Sequence, residues 1–399
     1  AGLGSLVATL LQKGAGQRDA AAFADAAAGV GGTISAGIST EATSVSAEFL
    51  SRDAALMIDL VADMLMRPAL AQEEFDKERD RSIALIQAAK GSNLNALMPA
   101  YSGAFIFGDH PYGNPSFGSE EALAAISHDE LLAHYASLFG GDRLVISVVG
   151  DFDIEAMKAR LTSVFGIWGP ATGGPVVLEP ATPITGRRVL LVDKPGAVQT
   201  YFWIGNVGVA RDYPNRAETN IANTLFGGRF TSMLMTALRV EAGLTYRAGS
   251  SVARHSASGS TTIQSFTETG KTVEAVDLAL EMLGRLHARR VDETMISSAR
   301  NYIMGQFPPT LETASSLAAT LADLEVNGLG REYIDEYGAA LLEATPVTVH
   351  NAISDVYPTP DNLVFVLIGD ADVIRDDVAQ YGPVTEISIT EPRFRTGGQ

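Results

Sequence analysis

Three short segments of the first half of the chain recur, in the same order, in the second half. The pairs are RLVISVVGDFD at 143–153 with NLVFVLIGDAD at 362–372, IDLVADMLMR at 58–67 with VDLALEMLGR at 276–285, and GGTISAG at 31–37 with GLTYRAG at 243–249. Any one of these apolar matches can arise by chance, but three in register indicate a duplication. A duplicated chain of 399 residues is expected to fold as two similar halves.

Each half has the residue pattern of an α+β unit. Apolar residues at helical spacing predict helices at 3–13, 19–29, 53–66 and along the charged segment EEFDKERDRSIALIQAA. Alternating, β-branched residues predict strands in GGTISAGISTEATSVSAEF, and 143–153 reads as a buried strand. Ser127 and Glu130 have the spacing of a capping box. We expect helices to cover one face of the strands in each half.

The Pro- and Gly-rich segment 166–188 has the composition of a linker. It divides the chain into an N-terminal half at 1–168, a linker at 169–187 and a C-terminal half at 188–399.

Charge and composition exclude several classes of protein. A net charge of −18 argues against nucleic acid as a partner and would attract a basic peptide, although it also simply favours solubility. The absence of cysteine excludes disulfides and thiolate metal sites. No apolar run approaches the length of a membrane span.

The segment 219–251 contains the residues best suited to chemistry. A helix is predicted over Thr231–Val240, with one apolar face formed by Met233, Leu234, Ala237 and Leu238. Gly243 is placed to end it in a left-handed conformation, and a strand is predicted to open at Thr245 and Tyr246. Arg239 and Tyr246 would then meet across a turn and could grip a peptide carbonyl. Alternatively, Arg239 pairs with the helix C-terminus and Tyr246 packs at the start of the strand.

The spacing Arg-x6-Tyr, inside LR-x3-GL-x-Y after a Gly-Gly turn, resembles the arginine–tyrosine motif of the M16 zinc peptidases, the pitrilysin and insulinase group. The resemblance, which is to the M16B-like branch, implies a pair of similar α/β-sandwich halves of the M16/LuxS-like metallohydrolase type. In that family, the arginine and tyrosine reach the substrate carbonyl beside the scissile bond and stabilise the developing oxyanion.

The zinc-binding residues of the family are replaced in this sequence. M16 peptidases carry His-x-x-Glu-His in the frame G-L-x-H-x-x-E-H, and here that frame begins at Gly2 and Leu3. Ser5 and Thr9 take the places of the histidines, Ala8 that of the general base, and Leu85 that of the third ligand. Methyl and isobutyl groups do not bind zinc, and hydroxyls are poor substitutes for imidazole. The resemblance therefore implies no metal in this chain.

The remaining motifs offer little chemistry. The sequence lacks a G-x-S-x-G element, a P-loop and a complete G-x-G-x-x-G. The six histidines show no metal-binding spacing, and His110 lies in HPYG, which resembles a structural segment of M16 chains.

The resemblance implies the non-zinc subunit of a two-subunit bacterial peptidase, inactive alone. Its partner would be a homologous subunit that carries His-x-x-Glu-His and binds Zn²⁺. The substrates would be extended peptides. If the acidic net charge of the chain influences substrate choice, these peptides would be basic. The loop Gly227, Gly228, Arg229 and Phe230 either lines the substrate chamber or is only a turn at a helix start.

Two other functions remain open from the sequence: an inert scaffold, as zinc-free M16 relatives form in respiratory complexes, and a module that binds peptides without cutting them. Because the first strands of the family precede this motif, the resemblance implies that those strands, and any leader, lie outside the sequence. The expected compartment is the periplasm, with the cytoplasm as the alternative.

Overall fold

The computed structural model describes residues 1–288 and 291–395. Its α-helices, in chain order, are α1 (Leu3–Leu10), α2 (Ala20–Ala28), α3 (Ala54–Met66), α4 (Gln72–Ser92), α5 (Met98–Phe107), α6 (Glu120–Ala125), α7 (His128–Leu138), α8 (Ile154–Phe165), α9 (Arg216–Phe226), α10 (Thr272–Ala288), α11 (Glu293–Gln306), α12 (Ala314–Val326), α13 (Glu332–Asp335), α14 (Tyr337–Glu343), α15 (Pro346–Val356) and α16 (Ala371–Val378). A π-helix spans Met235–Glu241.

The strands are β1 (Gly14–Ala15), β2 (Arg18–Asp19), β3 (Thr33–Ile38), β4 (Thr43–Glu48), β5 (Arg188–Asp193), β6 (Gln199–Gly208), β7 (Ala248–Ala253), β8 (Gly259–Glu268), β9 (Val364–Gly369) and β10 (Val384–Ser388). None of the helices within the described ranges is both long and apolar enough to cross a membrane.

The chain forms two compact units. Unit 1 contains Ala1–Gln87, Pro115–Val177 and Pro309–Gly328, and unit 2 contains Ala88–Asn114, Leu178–Pro308 and Leu329–Gln399. This grouping differs from a simple division at 169–187, because 88–114 joins unit 2. There, the Ala257 N–H donates to the Tyr112 hydroxyl over 3.1 Å, and the His110 ring lies 2.9 Å from the Glu179 carbonyl oxygen. The boundaries at 168 and 188 remain a prediction.

Unit 1 is built on α1 and the β3–β4 hairpin. Strands β3 and β4 are antiparallel, with Ile34 opposite Ala47, and α1 packs against both β3 and α7. The predicted capping box is present, since the Ser127 and Glu130 side chains each accept the other residue's backbone N–H. Local sequence chemistry therefore fixes the start of α7.

The strand predicted at 143–153 is not formed. Residues 144–149 have no assigned secondary structure and are only partly buried, and Ile146 exposes 40% of its surface. A strand requires a ladder of hydrogen bonds to a neighbour. Among the described strands of unit 1, β3 and β4 pair with each other and β1 pairs with β2, so none is paired to this segment.

Unit 2 is built on a six-stranded mixed sheet with the order β10-β5-β9-β6-β8-β7. Strands β10, β5 and β9 are parallel, and the pairs β9–β6, β6–β8 and β8–β7 are antiparallel. Alternate residues such as Leu191 and Phe365 pack in one core with residues of α9, α10 and α15. This core holds the strands that carry the candidate site.

The sequence predicted helices on one face of the strands, but in unit 2 helices cover both faces of the sheet. All six residues of β9 are buried, and α5 packs against β6 and β9. A strand buried on both faces has a continuous apolar sequence, which VFVLIG shows.

Candidate functional site

Arg239 lies on the π-helix of unit 2. Of the four residues predicted to form its apolar face, Leu234, Ala237 and Leu238 are buried, whereas Met233 is only partly buried. Met235 joins the buried residues because the turn is wider than in an α-helix. The Ala242 N–H donates to the Ala237 carbonyl over 3.0 Å, five residues back. Gly243 then ends the helix with φ 65°, as predicted. π-helical turns are rare and concentrate at functional sites.

The Arg239 side chain is exposed. Its guanidinium carbon lies 4.9 Å from the centroid of the Phe230 ring, a distance typical of a cation–π contact. Within 1–288 and 291–395, Arg239 has no ion pair or hydrogen bond through its guanidinium. Five N–H donors therefore remain available to an oxygen acceptor.

Tyr246 lies on a loop that is fixed on both sides to β8. Thr267 donates from its hydroxyl to the Leu244 carbonyl over 2.8 Å, and Ser265 donates to the Arg247 carbonyl over 2.9 Å. These bonds replace ladder bonds, so β7 begins at Ala248 rather than at Thr245 as the sequence predicted. The strand start was misplaced because Ser265 and Thr267 are remote in sequence.

The loop holds Tyr246 outward. Its side chain leaves 78% of the residue exposed, and its hydroxyl makes no hydrogen bond to any residue that the structure describes. Tyr246 therefore does not pack at the start of a strand, which was the alternative reading of the sequence.

The Gly-Gly turn follows α9 and touches β7. A Cβ at Gly227 would lie 2.2 Å from the Ser250 nitrogen, and one at Gly228 would lie 3.0 Å from the Asn223 carbonyl oxygen. That oxygen accepts the N–H groups of both glycines, at 2.9 and 2.7 Å. The two glycines are thus required by packing at the end of α9.

Asn223 is also held by its side chain. Its Oδ1 accepts the Ser250 hydroxyl over 2.6 Å and the Tyr357 hydroxyl over 3.2 Å. Burial raises the pKa of Tyr357, so this phenol stays a neutral donor. The turn that precedes Phe230 is therefore firmly positioned.

The side chains of Arg229 and Phe230, the next two residues of the loop, make different contacts. Arg229 donates from Nη1 to the Ser298 hydroxyl over 3.0 Å, and so turns toward α11. Phe230 exposes 59% of its surface beside Arg239. Of the four predicted substrate-binding residues, Phe230 contacts Arg239. A role in substrate binding remains a prediction for all four.

The degenerate zinc positions lie in unit 1. The Thr9 hydroxyl donates to the Ser5 carbonyl of its own helix over 3.0 Å, Ala8 is buried, and Leu85 exposes 61% of its surface on α4. Glu78, the glutamate seven residues before Leu85 on α4, forms an ion pair with Lys13 over 2.8 Å. These side chains do not fit a zinc ion, because the set holds no imidazole and its one carboxylate is paired with a lysine. Across the described ranges, no three His, Cys, Asp or Glu residues cluster as a metal site.

Comparison with known proteins places the chain in a family. Residues 1–118 match the family model for insulinase-type M16 peptidases, and residues 125–303 match the model described as the peptidase M16 inactive domain. The fold and the motif define a chain of the M16 metallopeptidase class. The chain belongs to the M16 family and consists of two M16-type halves.

Relatives carry two kinds of name. An uncharacterized zinc protease of Mycobacterium leprae is 27% identical over 82% of this chain and 74% of its own length. The non-peptidase homolog YmxG of Helicobacter pylori is 24% identical over 79% of this chain and 72% of its own length.

Solved structures share the fold. A peptidase M16 inactive domain from Pseudomonas fluorescens superposes with a TM-score of 0.85 at 20% identity, covering 92% of this chain and 88% of that one. A protease from Helicobacter pylori gives a TM-score of 0.81 at 16% identity, covering 92% and 89%. The predicted α+β fold of two similar halves is thus confirmed.

Proposed function

We propose that this chain is the non-zinc subunit of a heterodimeric zinc metalloendopeptidase. A homologous partner with His-x-x-Glu-His supplies the zinc, the water and the general base. This chain supplies Arg239 and Tyr246 to the substrate and is inactive alone.

The observation that best supports this proposal is that the side chains of Arg239 and Tyr246 are exposed while the backbone around them is held in place. Arg239 follows the buried Leu238 on the π-helix, and Tyr246 lies between two carbonyls held by β8. Neither polar group has a hydrogen-bond partner in the described chain. Exposed donors on a rigid support suit an oxyanion, because little reorganisation is needed when the negative charge develops.

The division of labour follows from the residues of α1. The three residues at the motif positions provide neither a metal ligand nor a base. Ala8 is a buried methyl group, and the Thr9 hydroxyl donates to the carbonyl of Ser5 in its own helix. An M16 subunit that keeps donors for the oxyanion and lacks the metal site acts only with a partner that holds the metal. Its substrates would be extended peptides, which commonly bind by adding a strand to a sheet.

Arg239→Ala tests the role in catalysis. The variant is purified with the partner subunit that copurifies from the source cells, and peptide cleavage is measured with zinc present. Loss of an oxyanion contact should lower kcat by roughly 10²-fold or more. Arg247→Ala is the matched control, because Arg247 is also an exposed arginine and lies in the loop that follows the π-helix. Unchanged cleavage by an intact Arg239→Ala complex would refute the role.

An inert scaffold or a peptide-binding homologue is the second candidate. It is favoured by the match to an inactive-domain model and by the name of the Helicobacter pylori relative. The copurification decides between the two. Recovery with a subunit bearing His-x-x-Glu-His supports the peptidase, whereas recovery alone or with unrelated proteins supports the scaffold. The compartment, periplasm or cytoplasm, is read from the fraction that yields the complex.

A further inference from the structure

Arginine side chains of unit 2 gather around two tyrosine rings. Arg216, the first residue of α9, places its guanidinium carbon 3.6 Å from the centroid of the Tyr333 ring and 4.0 Å from that of the Tyr337 ring. The guanidinium carbon of Arg211 lies 5.4 Å from the centroid of the same Tyr333 ring. Together with Arg254, which follows β7, these residues form what we call the arginine–tyrosine cluster: Arg211, Arg216, Arg254, Tyr333 and Tyr337.

Hydrogen bonds join Arg254 to the rest of the cluster. Its Nη2 donates to Asn220 Oδ1 over 3.2 Å, and Asn220 Nδ2 donates to the Tyr337 hydroxyl over 2.6 Å. On the other side, the backbone N–H of Arg211 donates to the carbonyl of His255, the residue after Arg254, over 2.8 Å. These contacts bring together three positive charges from the segment before α9 and the segment after β7.

Two of the three charges have no counter-ion. Neither Arg216 nor Arg254 forms an ion pair with any residue that the structure describes, and neither does Glu218 in the first turn of α9. Both arginines are partly buried. Burial lowers the pKa of both groups, and the charge of Arg211 lowers it further. Because arginine nevertheless stays charged at neutral pH, the folded chain bears the cost of holding these charges.

The cluster also has unused hydrogen-bond donors. Arg216 donates from Nη1 to the Tyr333 carbonyl over 2.6 Å, while its Nε and Nη2 have no acceptor within 1–288 and 291–395. An arginine packed on aromatic rings keeps its N–H groups for acceptors in the guanidinium plane. The Nη1 atom of Arg254 is buried without an acceptor in the described chain, which adds to the cost of the unliganded cluster.

From these contacts we infer that the arginine–tyrosine cluster binds a tetrahedral oxyanion of the phosphate type. Arg216 donates hydrogen bonds to the anion from Nε and Nη2, and Arg254 supplies a second positive charge. Guanidinium donors match the oxygen atoms of a phosphate group, and its two negative charges balance the two arginines that lack a carboxylate. A carboxylate would balance only one of them. Free phosphate and a phosphate monoester share this chemistry.

Isothermal titration calorimetry of the full chain with sodium phosphate tests the site. All titrations use a chloride buffer of constant ionic strength, so that general screening of charge is the same in each. Phosphate should bind at millimolar concentration, and acetate should bind roughly tenfold or more weakly, because it carries a single charge.

Glycerol 3-phosphate distinguishes the two sources of the phosphate group. Tighter binding than that of inorganic phosphate would support a phosphate monoester as the ligand. Equal or weaker binding would support the free ion.

Variants of Arg216 assign the hydrogen bonds. Arg216→Gln should weaken phosphate binding roughly tenfold or more, as expected for loss of hydrogen bonds to a charged group. Arg216→Lys should retain part of the affinity, because it keeps the charge and loses the paired donors. It also keeps the test valid if Arg216→Gln is less stable. Arg285→Gln is the control, since Arg285 is an arginine of unit 2 that pairs with Glu281, and its phosphate affinity should match the wild type.

Arg254→Met distinguishes a ligand site from a structural arginine. Methionine keeps much of the apolar length of the side chain and removes the charge. In phosphate-free buffer the thermal midpoint of the variant should equal or exceed that of the wild type, because an unpaired, partly buried charge is gone. Phosphate should raise the midpoint of the wild type through binding to the folded state, and should raise that of Arg254→Met less.

Three results would each overturn the inference. They are no detectable binding of phosphate at millimolar concentration, equal affinity for phosphate and acetate, and wild-type phosphate affinity in both Arg216→Gln and Arg254→Met. None of these measurements involves Arg239 or Tyr246, so the outcome is independent of the proposed role in peptidase catalysis.

Discussion

Tyr246 exposes most of its ring, although its neighbours Leu244 and Thr245 are buried. Burial of the neighbours and the hydrogen bonds from Ser265 and Thr267 fix the backbone, so the outward direction of the phenol is set by the loop. A side chain placed in this way contributes little to stability. Its replacement therefore separates catalysis from folding.

If the proposed two-subunit enzyme exists, Tyr246→Phe should lower its kcat by about tenfold to a hundredfold, because only the hydroxyl donor is lost. The thermal midpoint should stay at the wild-type value. Tyr302→Phe is the control, since Tyr302 is a partly exposed tyrosine of α11 whose hydroxyl makes no hydrogen bond to any residue that the structure describes. If KM rises while kcat is unchanged, Tyr246 binds the substrate without favouring the transition state.

At the scale of elements, the turn between α9 and the π-helix determines the positions of Phe230 and of the helix that carries Arg239. Gly227→Ala would press a methyl group against the Ser250 backbone nitrogen, an atom of β7 that has little room to move. We expect the free energy of unfolding to fall by about 1–3 kcal/mol. Denaturant unfolding of the two proteins measures this difference.

Gly284→Ala is the matched control for that experiment. Gly284 lies in α10, and a Cβ there meets no atom within 4 Å. Replacing a helical glycine by alanine should stabilise the chain by roughly 0.5–1 kcal/mol. Equal stability of both variants would show that the contact with Ser250 does not constrain residue 227.

Local chemistry was sufficient to predict several elements. Ser127 and Glu130 marked the start of α7, and Gly243 marked the end of the helix that carries Arg239. The strand predicted at 143–153 was wrong, although the apolar pattern of residues 144–149 matches that of β9. A strand also requires hydrogen bonds to a neighbouring strand, and local sequence does not specify that neighbour. The π-helix was also missed, since its apolar face differs from that of an α-helix by only one added residue, Met235.

The candidate site was predictable to a similar extent. The motif located Arg239 and Tyr246, but not their surroundings. The hydroxyl bonds from Ser265 and Thr267 of β8 come from residues remote in sequence, and the contact of Phe230 with Arg239 depends on the turn between them.

At the scale of the whole molecule, the net charge of −18 bears on the choice of substrate. Exposed carboxylates attract cationic peptides through long-range fields that salt screens. The proposed two-subunit enzyme should therefore cleave a lysine-containing peptide with a higher kcat/KM than its glutamate-containing counterpart. The advantage should shrink between low and high ionic strength, and equal rates at low salt would rule out charge as a determinant.

The order of strands in unit 2 also has a consequence for synthesis. Strand β5 lies between β9 and β10, with Arg188 opposite Val364 and Val189 opposite Val384. A ribosome adds residues one by one, so β5 emerges long before either neighbour exists. Until the last strands leave the ribosome, both edges of β5 are open to pairing with other chains. Newly made protein thus needs protection by a chaperone until translation is complete.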